Sequence, residues 1–209
     1  MGPKENLFVT KRNGRGKESL NIDKIHSMVE FATDGITGVS ASQVEMNSGI
    51  QFFDGISTED IQQILIKSAN DLISLDNPNY QYVAARLLLF SLRKSLFHRL
   101  WEHPSLLKHI KTCVKKGVYD KAILENYDEA EIDRMGMWID HERDYNFTYA
   151  GLRQVIDKYL VQDRSSGEIF ETPQFMYMMI AATIFSNYPK NKRMTYVKKY
   201  YDATSRFKI

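Results

Sequence analysis

Asn13-Gly14 fixes how the first two dozen residues can run. The pair favours a two-residue turn with positive φ at both central positions, so it reads as the tip of a hairpin. Strands are expected over 7–12 and 17–20, and the second runs straight into a helix at Asn21. Lys11, Arg12, Arg15 and Lys17 crowd the tip. The chain thus sets a cationic hairpin over a helix N-terminus, where backbone N–H groups and the helix dipole already favour anions. Lys24 falls in the first turn of that helix, where a cation opposes the dipole by roughly 0.3–1 kcal/mol. A phosphate lying between them turns the opposition into attraction. The plainer reading is a solvated hairpin whose charges keep its edges from pairing.

Helical signals follow in series. Ile22, Ile25, Val29 and Ala32 share one stripe over 22–33, and Asp34-Gly35 stops it. Ser40 with Gln43 forms a capping box, stapled by Val39 and Val44, that opens a second helix reaching about Phe53. Asp54-Gly55 breaks that helix. Ser57-Thr58-Glu59-Asp60, stapled by Ile56 and Ile61, starts a third, with Ile61, Ile64, Leu65, Leu72 and Ile73 on one face. Asn77 and Pro78 stand as N-cap and first residue of a fourth helix, which carries Tyr80, Val83, Ala84, Leu87 and Leu88 and ends near His98. Four helices under a hairpin make a complete small domain over 1–98.

A second region begins at His103-Pro104-Ser105. Leu106, Leu107, Ile110 and Val114 form a stripe ending at Gly117, and 127–137 reads as a short helix with its acids at the dipole's positive end. A helix over 147–160 leads to a turn at Ser165-Ser166-Gly167. Thr172-Pro173 opens an apolar helix to about Asn187, whose Met176, Tyr177, Met179, Ile180, Ala182, Thr183 and Ile184 leave so little polar face that burial is expected. Pro189 separates it from a last helix over 191–204. The fold class is mainly α (α+β), in two parts, 1–98 and 99–209.

The charge balance, 28 basic against 26 acidic residues, does not by itself suggest a nucleic-acid protein. Lys190, Lys192, Arg193, Lys198 and Lys199, interleaved with tyrosines, read as an amphipathic surface helix. One cysteine, Cys113, rules out an internal disulfide and a cysteine-rich zinc site. Lys111, Lys115 and Lys116 nearby tend to lower its pKa, although an incidental thiol is the simpler view. The five histidines form no HExxH and no i, i+4 pair, so no metal is expected. Asp140 to Asp144 reads as a solvated loop. GRGKES lacks the spacing of a phosphate-binding P-loop. No apolar run of membrane-spanning length occurs, and the N-terminus has no signal-like apolar stretch, so a cytoplasmic location is the default.

With those residues in place, VTKRNG…ESLNIDKI resembles the opening of the ATP-cone of ribonucleotide reductase large subunits. The likeness continues through IQFFDGISTEDI, NYQYVAARL, YLVQDR and FSNYP, in order, along essentially the whole chain. It implies an ATP-cone followed by the helical N-terminal domain of a class I ribonucleoside-diphosphate reductase, an enzyme that makes deoxyribonucleotides. ATP or dATP is the implied effector. By match to the family's pattern, Val9, Lys11 and Arg12 on the first strand, Glu18, Asn21 and Lys24 around the second, Thr58 on the third helix, and Phe90 and Lys94 on the fourth hold it. Glu18 and Asn21 are expected to offer acceptors to base or ribose.

The hairpin carries one residue more than the family pattern, and Gln62 and Ser91 stand where relatives can place histidines that help tell dATP from ATP. The catalytic cysteines, glutamate and asparagine, in a ten-stranded barrel, have no counterpart in these residues. The resemblance therefore implies two partners: the barrel part of the large subunit, and a small subunit whose di-iron centre supplies a radical. A split subunit or a shortened one fits equally. The rivals are a decayed cone kept for assembly and a free-standing nucleotide sensor; the second lacks its cysteine-rich ribbon here.

Overall fold

The computed structural model describes residues 8–11, 16–49, 54–99 and 102–209. The chain divides into two compact units, one of Met1–Ser91 with Phe147–Arg153 and one of Leu92–Asn146 with Gln154–Ile209.

In the first unit β1 (Phe8–Thr10) pairs antiparallel with β2 (Lys17–Ser19), in the register Phe8 to Ser19, Val9 to Glu18 and Thr10 to Lys17. The tip that Asn13-Gly14 predicts lies outside the described residues. Gly16 takes φ +102°, and the Lys11 N–H donates to its carbonyl at 3.0 Å, so the strands close toward the tip as a hairpin must. α1 (Ile22–Thr33) has the expected bounds. Its C-terminal carbonyls, orphaned by helix geometry, are taken up from afar: Arg86 Nη1 donates to Asp34 O at 2.6 Å and to Ala32 O at 3.4 Å.

α2 (Ala41–Gly49) starts where Ser40 predicts; the end expected near Phe53 lies outside the described residues. The capping box is only half realised. Ser40 Oγ accepts the Gln43 N–H at 3.4 Å, but the Gln43 side chain turns to accept from the Tyr80 hydroxyl. That hydroxyl accepts the Ser40 N–H at 3.0 Å, so a buried tyrosine does what the glutamine would have done. α3 (Thr58–Asp71) is capped by Ser57, whose Oγ accepts the Asp60 N–H at 2.9 Å. Its buried face holds Ile61, Leu65, Ile66 and Ala69, whereas Ile73 is exposed, so the stripe sits about one residue round from the expected one. α4 (Tyr80–Phe97) begins two residues after Pro78. The Asn77 N–H is held by Ser74 Oγ, and Pro78 and Asn79 close tight i+3 bonds to Gln81 and Tyr82 before the helix sets in. Val29, Val44, Leu65, Val83 and Leu87 are each fully buried in this unit.

The second unit is mostly helical, and the helix Tyr149–Lys158 starts in residues grouped with the first. α5 (Leu106–Lys115) is capped by Ser105, and a short α6 (Ala122–Asn126), too brief to leave a stripe, follows. α7 (Glu129–Trp138) carries a full capping box: Asp128 accepts the Glu131 N–H at 2.9 Å and Glu131 accepts the Asp128 N–H at 3.1 Å. The acids there do more than answer the dipole. His141–Asn146 forms a 3-10 segment, not a solvated loop: Asp144 is 1% exposed because Arg93 and Gln174 come to meet it. α8 (Tyr149–Lys158) leads to the expected turn, where Gly167 takes φ +74° and its N–H donates to Asp163 O at 2.7 Å. α9 (Pro173–Ile184) buries Phe175, Met176, Met178, Ala181 and Ala182. Its other face corrects the expectation of full burial, since Ile180 is 40% and Ile184 48% exposed. α10 (Lys190–Thr204) keeps its lysines outside but buries Arg193 beside Glu131 and over the Tyr127 ring.

Candidate functional site

The hairpin and the N-terminus of α1 carry most of the residues that the sequence assigns to an anion. Val9 is buried at 3% exposure and anchors β1 to the core. Its partner across the ladder, Glu18, turns outward and pairs with Lys11 at 3.2 Å, both half-exposed. A pair so open to water contributes at most about 1 kcal/mol, so an incoming phosphate can take Lys11 at small cost. Arg12 lies outside the described residues. Asn21 caps α1, its Oδ1 accepting the Lys24 N–H at 3.0 Å. The acceptor that the sequence reserves for a ligand is thus engaged by the helix, and what Asn21 can offer outward is its amide NH₂. Lys24 is exposed in the first turn, beside the orphan N–H groups of a helix start.

Thr58 reaches this region by a route that sequence periodicity does not show. Residues 54–57 lie along β1 as a third strand-like stretch. The Phe8 N–H donates to Asp54 Oδ1 at 2.8 Å, Gly55 N–H to Phe8 O at 2.8 Å, and Thr10 N–H to Ile56 O at 2.9 Å. Ser57 bridges Thr10 in parallel sense, which delivers Thr58, the first residue of α3, to the end of β1. Asp54-Gly55 does more than stop a helix: Gly55 at φ +83° makes the bend that lets this stretch pair. Phe90 is fully buried in α4, its ring 5.5 Å from that of Phe31 on α1. It serves as packing under α1 and does not reach solvent. Lys94, partly buried, stands one turn further along α4, beyond the division after Ser91. Gln62 is 2% exposed, its amide 3.9 Å from Met28 Sδ.

Cys113 is not activated. Burial and the neighbouring Glu171 push its thiol up to about 11, against a smaller opposite pull from Lys116. The expected lowering by lysines survives only as that smaller pull and is outweighed, because the sulfur is buried, 3.6 Å from His109 Nε2 inside the unit. Among the described residues no cluster of three or more His, Cys, Asp and Glu side chains is placed to hold a metal ion, and no helix is long and apolar enough to cross a membrane.

Both parts of the chain resemble known proteins. An ATP cone domain matches residues 7–95, and a ribonucleotide reductase all-alpha domain matches 145–209. The chain is 51% identical over 205 residues to ribonucleoside-diphosphate reductase 1 subunit alpha of Escherichia coli (strain K12), covering 98% of this chain and 27% of that protein. It is 50% identical to the alpha subunit of Haemophilus influenzae over the same shares. The alpha subunit of Enterobacteria phage T4 is 40% identical over 188 residues, 90% of this chain and 24% of the phage protein. The chain spans about a quarter of the length of the curated relatives it matches.

Proposed function

We propose that the chain, 51% identical along 98% of its length to a ribonucleoside-diphosphate reductase alpha subunit, is the N-terminal, nucleotide-sensing and scaffolding portion of such a reductase. Its first unit binds ATP or dATP as an allosteric effector. The holoenzyme it serves converts ribonucleotides to deoxyribonucleotides, with the barrel part of the alpha subunit and a small di-iron, radical-generating subunit as partners. Residues 1–98 act as the cone and 99–209 as the helical platform.

The observation that carries the reading is the joint presentation of Lys11, Lys24 and Thr58. Lys11 is held by a weak pair with Glu18, Lys24 stands at a capped helix N-terminus, and Thr58 is brought to the end of β1 by the 54–57 stretch. Lysines at such a place neutralise phosphate oxygens, and helix N–H groups add directional donors. The platform role is supported by an apolar groove of about 500 Å³ in the second unit, walled by Ala122, Ile123, Met176, Met179, Ile180 and Ile184. Exposed apolar surface of this kind marks a face that a larger assembly covers.

Titration calorimetry with ATP and dATP tests the effector reading. The wild-type chain is expected to bind both. Lys11→Ala with Lys24→Ala is expected to weaken binding at least about 100-fold, on the order of 1.5–3 kcal/mol for each charge-assisted contact. Absence of binding to the folded wild-type chain would favour the rival, a decayed cone retained for assembly.

A further inference from the structure

The second unit encloses a group of imidazoles that neither the nucleotide site nor the apolar groove uses. His103 and His141 lie face to face, ring centroids 3.7 Å apart and planes 4° from parallel. Phe175 of α9 meets the His141 ring edge-on at 5.2 Å and stacks on His109 of α5 at 4.4 Å. Phe97 of α4 closes the edges of His103 and His109. Arg93, 2% exposed, fastens the 3-10 segment from beneath. Its Nη2 donates to His141 O at 2.7 Å, its Nη1 to the Tyr145 hydroxyl at 3.0 Å, and Asp144 Oδ2 lies 3.5 Å away. Gln174 Nε2 donates to Asp144 Oδ1 at 2.8 Å, and Tyr201 of α10 donates to Gln174 Oε1 at 2.7 Å while accepting the Asp140 N–H at 2.9 Å.

Every element packed here brings a titratable or charged group. α4 gives Arg93, and α5 gives His109 and Cys113. The 3-10 segment and its approach give Asp140, His141, Arg143, Asp144 and Tyr145. Glu171 precedes α9, which adds Tyr177, and α10 gives Tyr201. Glu171 is already bound by the Tyr119 hydroxyl and by the Val161 N–H at 2.8 Å. Asp144 is the carboxylate that answers Arg93. A proton on either stacked, partly buried ring therefore sets a new cation near that guanidinium, and protons on both set two cations 3.7 Å apart. Buried His103 Nε2 and His141 Nδ1 have no hydrogen-bond partner among the described residues that would share such a charge.

We propose that the His103–His141 stack is an acid-operated latch on the His141–Asn146 segment: neutral rings hold the segment against α4, α9 and α10, and protonation releases it while the rest of the unit stays folded. The sign follows from linkage. Burial, with Arg93 adding to it, lowers His103 to about 4 and His141 to about 3, and burial lowers His109 to about 4. Their folded values lie below the ordinary 6.5. The open state then binds more protons, and closure weakens as pH falls from 6.5 toward 4. Asp144, raised to about 6 by burial, works the other way on total stability. Closure keeps on Asp144 a proton that the open segment would lose, so this group offsets part, but not all, of the effect of the two stacked rings over the same range.

Hydrogen–deuterium exchange on the full chain, corrected for intrinsic rates, reads the latch directly. Peptides covering 139–147 are expected to lose protection at least about tenfold below about pH 5.5, while α5 and α10 keep theirs. The variant His103→Phe/His141→Phe retains a stacked pair that cannot take a proton and is expected to stay protected to lower pH. Simultaneous loss in wild type and variant, or loss in 139–147 only together with α10, overturns the proposal. Where the variant fails to fold, ¹⁵N-histidine NMR of the wild type decides. Two imidazoles that stay neutral until the segment opens support the latch; ordinary titration near pH 6.5 with protection intact overturns it.

Discussion

Arg193 shows what a single residue's surroundings do to its meaning. In sequence it sits among Lys190, Lys192, Lys198 and Lys199 and reads as one more solvated cation. In the fold it is 3% exposed, its Nε 3.0 Å from Glu131 Oε1, with the guanidinium 4.3 Å above the Tyr127 ring. Glu131 lies 62 positions away, and helical periodicity carries no information about a partner at that separation. Glu131 also closes the α7 capping box, so one carboxylate ties a helix start to α10. Arg193→Met is expected to cost about 3 kcal/mol, the usual penalty for stripping one partner from a largely buried pair. The melting temperature should fall by roughly 10 °C. Lys199→Met on the exposed side of the same helix should stay within about 0.5 kcal/mol. Thermal unfolding of the two variants decides the matter: equal, small losses would mean that the pair contributes nothing.

At the scale of the element, legibility follows the range of the interactions that set each boundary. α1 is bounded by Asn21 and by Asp34-Gly35, all within its own span, and sequence and structure agree on both ends. α3 and α5 likewise begin at serines that cap through their own side chains. The start of α2 depends on Tyr80, 40 positions away, which displaces the expected Gln43 arm. What brings Thr58 to the end of β1 is likewise distant in sequence, since the 54–57 stretch pairs with β1 across more than forty residues. Asn21 is the boundary residue on which the proposed nucleotide site depends, because its Oδ1 fixes the first turn that carries Lys24. Asn21→Ala removes the cap and is expected to destabilise the first unit by about 1 kcal/mol. It should also weaken ATP binding several-fold by letting that turn fray. Asn21→Ser, which restores an acceptor at the cap, should recover the stability. If it recovers stability but not affinity, the Asn21 amide itself meets the nucleotide. Full affinity in Asn21→Ala would remove the first turn of α1 from the site.

For the molecule as a whole, the least legible feature is which apolar surface the chain keeps to itself. α9 reads as a helix for full burial, and that expectation takes its apolar residues as if this chain alone had to cover them. The second unit covers only the face of Phe175, Met178 and Ala181, and leaves Ile180 and Ile184 on the wall of the groove with Tyr159 at 61% exposure. The chain matches 27% of the length of its bacterial relative, and under the proposed function the remaining three quarters of an alpha subunit would supply the surface that covers this face. Burying two isoleucine side chains contributes about 1.5–3 kcal/mol each, enough to change an association constant by orders of magnitude. Ile180→Glu with Ile184→Lys places an i, i+4 ion pair in the favourable order on that wall, so the isolated chain should keep its melting temperature to within a few degrees. Mixed with the remaining portion of an alpha subunit supplied as a second polypeptide, the wild-type chain is expected to co-sediment with it and the variant to sediment alone. Undiminished co-sedimentation of the variant would place the covering surface elsewhere. Self-association of the wild type that the variant abolishes would assign the groove to a second copy of this chain.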